Sequence, residues 1–261
     1  YLPDGEFEIV DANNNKVPYT VLEKRDLTDY VLTQTIRLNP SKEIYIPNKV
    51  FEAKIVISKE YLSSFGFEQL QLVFSGDGEV PYKECNYLEN EFYKVTINED
   101  GSFNVLDKES KKEYKNQGVL VENGDDGDSF NYSIPRQDME IYSTAFNPVI
   151  QVKGSNLIQK ANIQFEMIVP QDLEARAIKN ATVKMPVELI VGLRKHSKVI
   201  DVQVNVDNHG LSHRLCILFD AGFATKTNIA DQQFGTIMRP NGYEKEMALY
   251  IQSANTKEDK V

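Results

Sequence analysis

Short segments in which apolar and polar residues alternate run along most of the chain. The clearest is Val199–Asp207, where Val202, Val204 and Val206 occupy every second position. A period of two residues is typical of a half-buried β-strand, because successive side chains point to opposite faces of the sheet. No segment keeps a convincing helical period. The pattern therefore predicts an all-β protein.

Turn residues divide these segments and predict how some strands pair. Asp100-Gly101 separates the alternating residues 92–97 from residues 103–105. Asp-Gly between two apolar runs predicts a tight β-hairpin. A second turn at 207–210 predicts that Leu215–Phe219 pairs with the strand before that turn.

Three further segments are less regular. We expect Tyr30–Leu38 to be extended, because it is rich in β-branched and aromatic residues. Gln171–Lys179 fits a short helical turn or a loop. Ala230–Pro240 has no strong period and fits a loop or an edge strand.

The length of 261 residues allows one large β domain or two domains. Val80–Tyr87 is polar and is interrupted by Pro81, which favours a boundary there. We predict a small β-sandwich module over residues 1–84 and a large β-sandwich domain over residues 85–261.

Charge and cysteine content exclude some classes of partner and compartment. The formal net charge is −10, which argues against nucleic acid and gives no support for binding an anionic membrane surface. No apolar run approaches the ~20 residues of a membrane span. The only two cysteines, Cys85 and Cys216, are far apart, so we predict free thiols and a reducing compartment.

The histidines do not predict a metal site. There are three, and none lies in an HExxH motif. His209 and His213 are four residues apart, but the turn at 207–210 interrupts the helix that would align them. A zinc site needs three or four converging ligands. We predict that His213 is a structural, hydrogen-bonded residue near the start of a strand. No G-x-S-x-G, P-loop or GxGxxG motif is present either.

The acidic loop Asn123–Asp128 is the one concentrated polar feature. Its carboxylates could bind a cation such as calcium, although the match to an EF-hand loop is poor. With Phe130 and Tyr132 they could instead bind a sugar, whose apolar face would lie on the rings. The third interpretation is a solvated acidic turn. Residues after the loop alternate, which predicts an aromatic strand ending at Pro135.

Several segments in series resemble one known family. Residues 88–114, followed by NGDDGDSFNYSIP at 123–135, resemble the start of the C-terminal β domain of glycoside hydrolase family 38, the α-mannosidases, in their bacterial form. Residues 200–222, with DNHGLSHRL, and residues 230–240 resemble later parts of that domain. Residues 51–70 are similar to the small β domain that precedes it.

The resemblance implies a small β-sandwich followed by a large antiparallel super-sandwich of the galactose-mutarotase type. It also implies a retaining parent hydrolase, which cleaves terminal α-mannosides through a covalent glycosyl-enzyme intermediate. In this family zinc and the nucleophile belong to a catalytic domain whose H-x-D motif is not found here. We therefore expect a fragment, truncated at its C-terminus, that contains no catalytic or metal-binding residue and is inactive alone.

The resemblance gives three candidate substrate-binding residues. Phe130 matches an aromatic after the acidic loop, where relatives carry Tyr. Arg239 matches an arginine that reaches the substrate. Asp128 is our own candidate for accepting a hydrogen bond from a sugar hydroxyl.

The first functional hypothesis is the non-catalytic β region of a zinc-dependent, bacterial, cytoplasmic α-mannosidase of mannose metabolism, which supports and partly walls the active site. The alternative is a free-standing carbohydrate-binding or adhesin-like β module. A calcium-stabilised structural domain is the third hypothesis. A truncated sandwich would leave a strand edge unpaired, so we also expect self-association through that edge.

Overall fold

The computed structural model describes residues 2–3, 6–31, 33, 49–59, 64–74, 78–128 and 132–241. The chain divides into two compact units. The first comprises Tyr1–Tyr93, Gln151–Ala161 and Ile190–Val202, and the second comprises Lys94–Ile150, Asn162–Leu189 and Gln203–Val261. The division into domains at residues 84 and 85 stays a prediction.

Strands make up most of the described chain, which confirms the all-β prediction. They are β1 (Leu2–Pro3), β2 (Glu8–Val10), β3 (Tyr19–Asp26), β4 (Val50–Ile57), β5 (Gln71–Val73), β6 (Lys83–Glu84), β7 (Leu88–Glu89), β8 (Tyr93–Ile97), β9 (Phe103–Asp107), β10 (Glu113–Gln117), β11 (Val119–Gly124), β12 (Ile141–Tyr142), β13 (Val149–Gly154), β14 (Ile158–Pro170), β15 (Ala181–Arg194), β16 (Ile200–Val206), β17 (His213–Leu218), β18 (Thr227–Gln232) and β19 (Gly235–Pro240). A 3₁₀ turn spans Ser143–Ala145, and helix α1 spans Leu173–Ala177.

Two small sheets, with strand orders β1-β4-β3 and β2-β5, lie in the first unit. Their core contains Phe7, Ile9, Val17 and Tyr19, all of them buried. The rings of Phe7 and Tyr19 stack with their centroids 4.6 Å apart. The Tyr19 hydroxyl donates to the Phe7 carbonyl oxygen at 2.6 Å, so this buried polar group is satisfied.

The remaining strands form four sheets, with orders β10-β9-β8-β7, β16-β15-β14-β13-β6, β12-β11-β17 and β18-β19. The predicted hairpin is confirmed, because β8 and β9 are neighbours and Asn98 N donates to Ser102 O at 2.8 Å. Gly101 occupies the left-handed region at φ +83°, where glycine avoids strain.

The core of the second unit comes from the alternating long strands. On β14, Ile163, Met167 and Val169 are fully buried, and on β15 Met185 and Leu189 are. Burying each such side chain stabilises the fold by about 1.5–3 kcal/mol relative to exposure.

One predicted pairing is wrong. Residues 207–210 do follow β16, but β17 does not pair with β16. Instead β17 lies antiparallel to β11, with His213 opposite Gly124 and Leu218 opposite Val119. The neighbour of β16 is β15. The connection is six residues long, which is too long for a tight hairpin to fix the partner.

The three segments without a regular pattern adopt different structures. Residues 28–31 are helical, so the prediction of an extended chain is wrong there, and most of Tyr30–Leu38 lies outside the described residues. Gln171–Lys179 contains helix α1, as expected. Ala230–Pro240 contributes to the hairpin of β18 and β19. No helix among the described residues has the length and apolar character needed to span a membrane.

Candidate functional site

The acidic loop begins on the last two residues of β11 and is folded by the carboxylate of Asp125. Asp125 Oδ1 accepts hydrogen bonds from the backbone N–H of Gly127 at 2.9 Å and of Ser133 at 3.1 Å. The Asp125 N–H donates to Ser212 O at 2.9 Å. Because Asp125 closes the loop, it is not an unengaged ligand for a cation. The backbone also closes the loop, since the Asp126 N–H donates to Ser133 O at 2.8 Å.

The structure describes two of the three predicted substrate-binding residues. Their role in binding a sugar stays a prediction. Asp128 is exposed at the end of the acidic loop. Arg239 is exposed on β19, opposite Asn228 of β18. Phe130 lies outside the described residues. The predicted aromatic strand is not seen in the described part that follows, because residues 132–140 form no strand.

A buried ion-pair network supports the base of the acidic loop, and sequence reasoning missed it. Glu122, on β11, and Arg176, on helix α1, form a salt bridge, and their side chains are 0% and 1% exposed. Asp138 Oδ1 lies 3.3 Å from Arg176 Nη1 and accepts the Gly124 N–H at 2.9 Å. The network therefore ties the first residues of the loop to helix α1.

The local sequence explains why Arg176 can reach this position. The Asp172 side chain caps helix α1 by accepting the Ala175 N–H at 2.9 Å, which is a standard stabilising contact at a helix start. Gly124 leaves room for the arginine, since a Cβ there would lie 2.6 Å from Arg176 Cδ and from Pro135 Cγ. Nothing in the sequence pointed to the partner of Arg176.

His213 has the structural role that the sequence predicts. It is the first residue of β17, and its Nδ1 lies 3.0 Å from Glu122 Oε1. Its Nε2 lies 2.9 Å from Asn208 Oδ1. Both ring nitrogens are thus occupied by hydrogen bonds. Across the described residues no three histidine, cysteine, aspartate or glutamate side chains converge as metal ligands would.

A stacked triangle of side chains lies beside the loop. The guanidinium of Arg214 is 3.5 Å from the centroid of the Tyr132 ring. Arg214 Nε donates to Asn123 Oδ1 at 3.2 Å, and Asn123 Nδ2 donates to the Tyr132 hydroxyl at 3.2 Å. Tyr132 remains 39% exposed. The cluster combines a partly exposed ring, a hydroxyl and a guanidinium, which are groups that can bind a polyhydroxylated ligand.

Comparison with known proteins gives the family. The sequence model of the glycosyl hydrolases family 38 C-terminal domain matches residues 88–257. A protein of Halalkalibacterium halodurans that carries the provisional name mannosylglycerate hydrolase is 26% identical over 175 residues, which is 60% of this chain and 19% of that protein. The chain thus spans about a fifth of that curated relative.

Solved structures show the same fold. An α-mannosidase from Enterococcus faecalis superimposes with a TM-score of 0.70 at 19% identity, over 94% of this chain and 29% of that one. A glycosyl hydrolase family 38 protein from the same organism gives a TM-score of 0.64 at 19% identity, over 92% of this chain and 30% of the other. The family match covers well over half of the sequence, and the chain therefore belongs to glycoside hydrolase family 38, whose C-terminal domain it carries.

Proposed function

We propose that this chain is the non-catalytic β region of a longer, retaining α-mannosidase that hydrolyses terminal α-mannosides. The observation that carries the proposal is the match to the C-terminal domain of the family over residues 88–257. The names of the relatives, an α-mannosidase and a mannosylglycerate hydrolase, both denote cleavage of a mannosyl bond. The chain spans 29% of that α-mannosidase, which leaves room for a separate catalytic domain in the parent.

Zinc belongs to the proposed catalytic domain and not to this chain. The described residues do not fit the ion, because no three potential ligands converge among them. The chain's proposed contribution is to shape the substrate-binding surface. Asp128 would accept a hydrogen bond from a sugar hydroxyl, Arg239 would donate one, and Phe130 would cover an apolar face of the sugar.

The experiment is a kinetic comparison in the whole protein. Asp128→Asn and Arg239→Lys should raise KM for an aryl α-mannoside several-fold, because each weakens a contact with the sugar. Lys184→Met is the matched control, since Lys184 forms an exposed pair with Glu166 at 2.9 Å. Unchanged kinetics in both site variants would refute the proposed contribution of Asp128 and Arg239 to the substrate-binding surface.

We further propose a bacterial cytoplasmic location and self-association through a strand edge. Two free cysteines, Cys85 and Cys216, suit a reducing compartment. β16 and β6 are the outer strands of the five-stranded sheet in the described chain, and outer strands offer unpaired N–H and C=O groups. Sedimentation velocity should show a mass that rises with concentration. A monomer throughout the accessible range would contradict self-association.

A further inference from the structure

The first unit contains a groove of about 820 Å³ that the proposed function does not use. Its lining comes from the turn at residues 11–18, from segments 58–59 and 66–68, and from residues 156–157 and 195–196. The volume lies within the roughly 300–1,000 Å³ of small-molecule sites. A cavity of this size can hold one or two sugar rings.

One wall of the groove is a pre-organised carboxylate. Asp11 Oδ1 accepts the backbone N–H groups of Asn13 and Asn15, each at 2.9 Å. The Asn15 side chain donates to Asp11 Oδ2 at 3.2 Å. These hydrogen bonds, with that from the Asn15 backbone the strongest, lower the pKa of Asp11 to about 2. The group is therefore an anionic acceptor with a fixed orientation at neutral pH.

The charges around the groove are balanced locally. Lys59 lies 3.4 Å from Asp11 and 2.6 Å from Glu68. Lys16 lies 2.7 Å from Glu8, and His196 lies 2.7 Å from Glu91. Lys195 also lines the groove, and its charge acts on the same Glu91. Because carboxylates lie close to these cations, the groove has little excess charge to attract a phosphate or a nucleic acid. It suits a neutral ligand with many hydroxyl groups, which can bond to both members of such pairs.

The groove also contains an exposed aromatic ring. Phe67 lines the groove and is 95% exposed. A bare phenyl ring beside fixed polar groups is the arrangement that covers the apolar C–H face of a sugar while the hydroxyls bond to the polar wall. Phe65, in the same segment, is equally bare but does not line the groove, so it supplies a matched control.

We propose that this groove binds a neutral glycan, with Phe67 against the sugar face and the Asp11–Lys59–Glu68 cluster on its hydroxyls. The ligand class rests on the proposed function, because a glycoside hydrolase encounters its substrate as a carbohydrate. The groove would then hold part of a longer glycan and thereby raise its local concentration.

The test is binding of methyl α-mannoside, α-mannobiose and soluble mannan to the whole chain, by calorimetry for the small sugars and by affinity electrophoresis for mannan. Phe67→Ala should weaken binding about tenfold, which corresponds to about 1.4 kcal/mol. Phe65→Ala should leave it unchanged. Equal thermal unfolding of all variants would show that each is folded.

The proposal would be overturned by no binding of any of the three probes, or by equal binding by wild type and Phe67→Ala. A Phe67→Ala variant that loses self-association without any sugar binding would also overturn it, in favour of a protein contact. Hydrolysis of a small aryl mannoside by the whole protein tests the proposed function separately. Phe67→Ala should leave that rate unchanged, so failure of one proposal is distinguishable from failure of the other.

Discussion

Glu122 and Glu188 are two strand carboxylates of the second unit in opposite environments. Glu122 has 0% of its side chain exposed and faces Arg176 and His213. Glu188, on β15, lies on a partly exposed sheet face, where it accepts hydrogen bonds from Asn162 and Asn205 at 2.7 Å each and from Gln164 at 3.3 Å.

The difference teaches which charge the fold depends on. A buried carboxylate needs a countercharge, because desolvation of an ion costs several kcal/mol. Among the described residues, Glu122 Oε2 and Arg176 Nε are buried without a hydrogen-bond partner. The attraction between the two charges is therefore the main compensation for their desolvation. Glu188 accepts hydrogen bonds from neutral side-chain amides and lies near solvent. Loss of its charge should therefore lower the stability of the fold only slightly. The region below the acidic loop is therefore sensitive to substitution, and the amide-lined face is robust.

The largest effect is expected for Arg176→Met. It leaves Glu122 buried without its countercharge, which should lower the free energy of unfolding by about 3–5 kcal/mol. Urea unfolding followed by circular dichroism measures the change. Lys184→Met, which breaks only the exposed pair with Glu166, should cost less than about 1 kcal/mol.

The double variant Glu122→Leu/Arg176→Met tests whether the pair contributes through its charges or through its packing. Removing both charges should recover part of the stability that Arg176→Met loses, because no fully buried ion is left without a countercharge. Asp138 also loses Arg176, but it is 19% exposed and keeps the hydrogen bond from the Gly124 N–H. A double variant that is less stable than Arg176→Met would show that the pair acts mainly through packing and not through charge.

A smaller effect is expected for Glu188→Gln, about 1 kcal/mol, because hydrogen bonds to a partly exposed carboxylate contribute modestly. Hydrogen bonds from Asn205, and then from Asn162 and Gln164, hold the pKa of Glu188 below its usual 4.5. Such a group stabilises the fold above its unfolded pKa, and the contribution is lost as the pH falls through its folded pKa.

Because the pKa of Glu188 is lowered in the folded state, the effect of Glu188→Gln on stability should depend on pH. The stability gap between wild type and variant should be constant above about pH 5 and should shrink on acidification below 4.5. Denaturant titrations at several pH values measure it. A gap that widens on acidification would contradict the assignment.

The smallest effect is expected for Arg214→Lys. The substitution keeps the charge but loses the planar stack on Tyr132 and the Nε bond to Asn123. We expect a loss of about 0.5–1 kcal/mol, because cation–π contacts near the surface are weak. Thermal unfolding measures it. A loss as large as that of Arg176→Met would erase the proposed contrast between buried and exposed charges.

The fold was predictable where local chemistry decides it. The predicted segments Val199–Asp207 and Leu215–Phe219 match β16 and β17 within two residues at each end, and Asp100-Gly101 predicts the β8–β9 hairpin. The partner of β17 was not predictable, because β11 lies about ninety residues earlier and no turn links the two strands. Residues 28–31 are helical in spite of their β-branched and aromatic content, which shows that propensity is a weak guide in a short segment.

The candidate site was predictable only in part. The acidic loop and the structural role of His213 could be inferred from spacing and turn residues. The Glu122–Arg176 pair could not, because a buried ion pair joins residues 54 apart and has no local signature. The Asp128, Phe130 and Arg239 assignments came from family resemblance, and their roles stay predictions.

The most direct test of the central claim is hydrolysis of an aryl α-mannoside by this purified chain with added zinc. A non-catalytic region predicts no turnover above the buffer blank, and we expect a longer protein that carries the proposed catalytic domain to hydrolyse the same substrate. Zinc-dependent turnover by this chain alone would contradict the account.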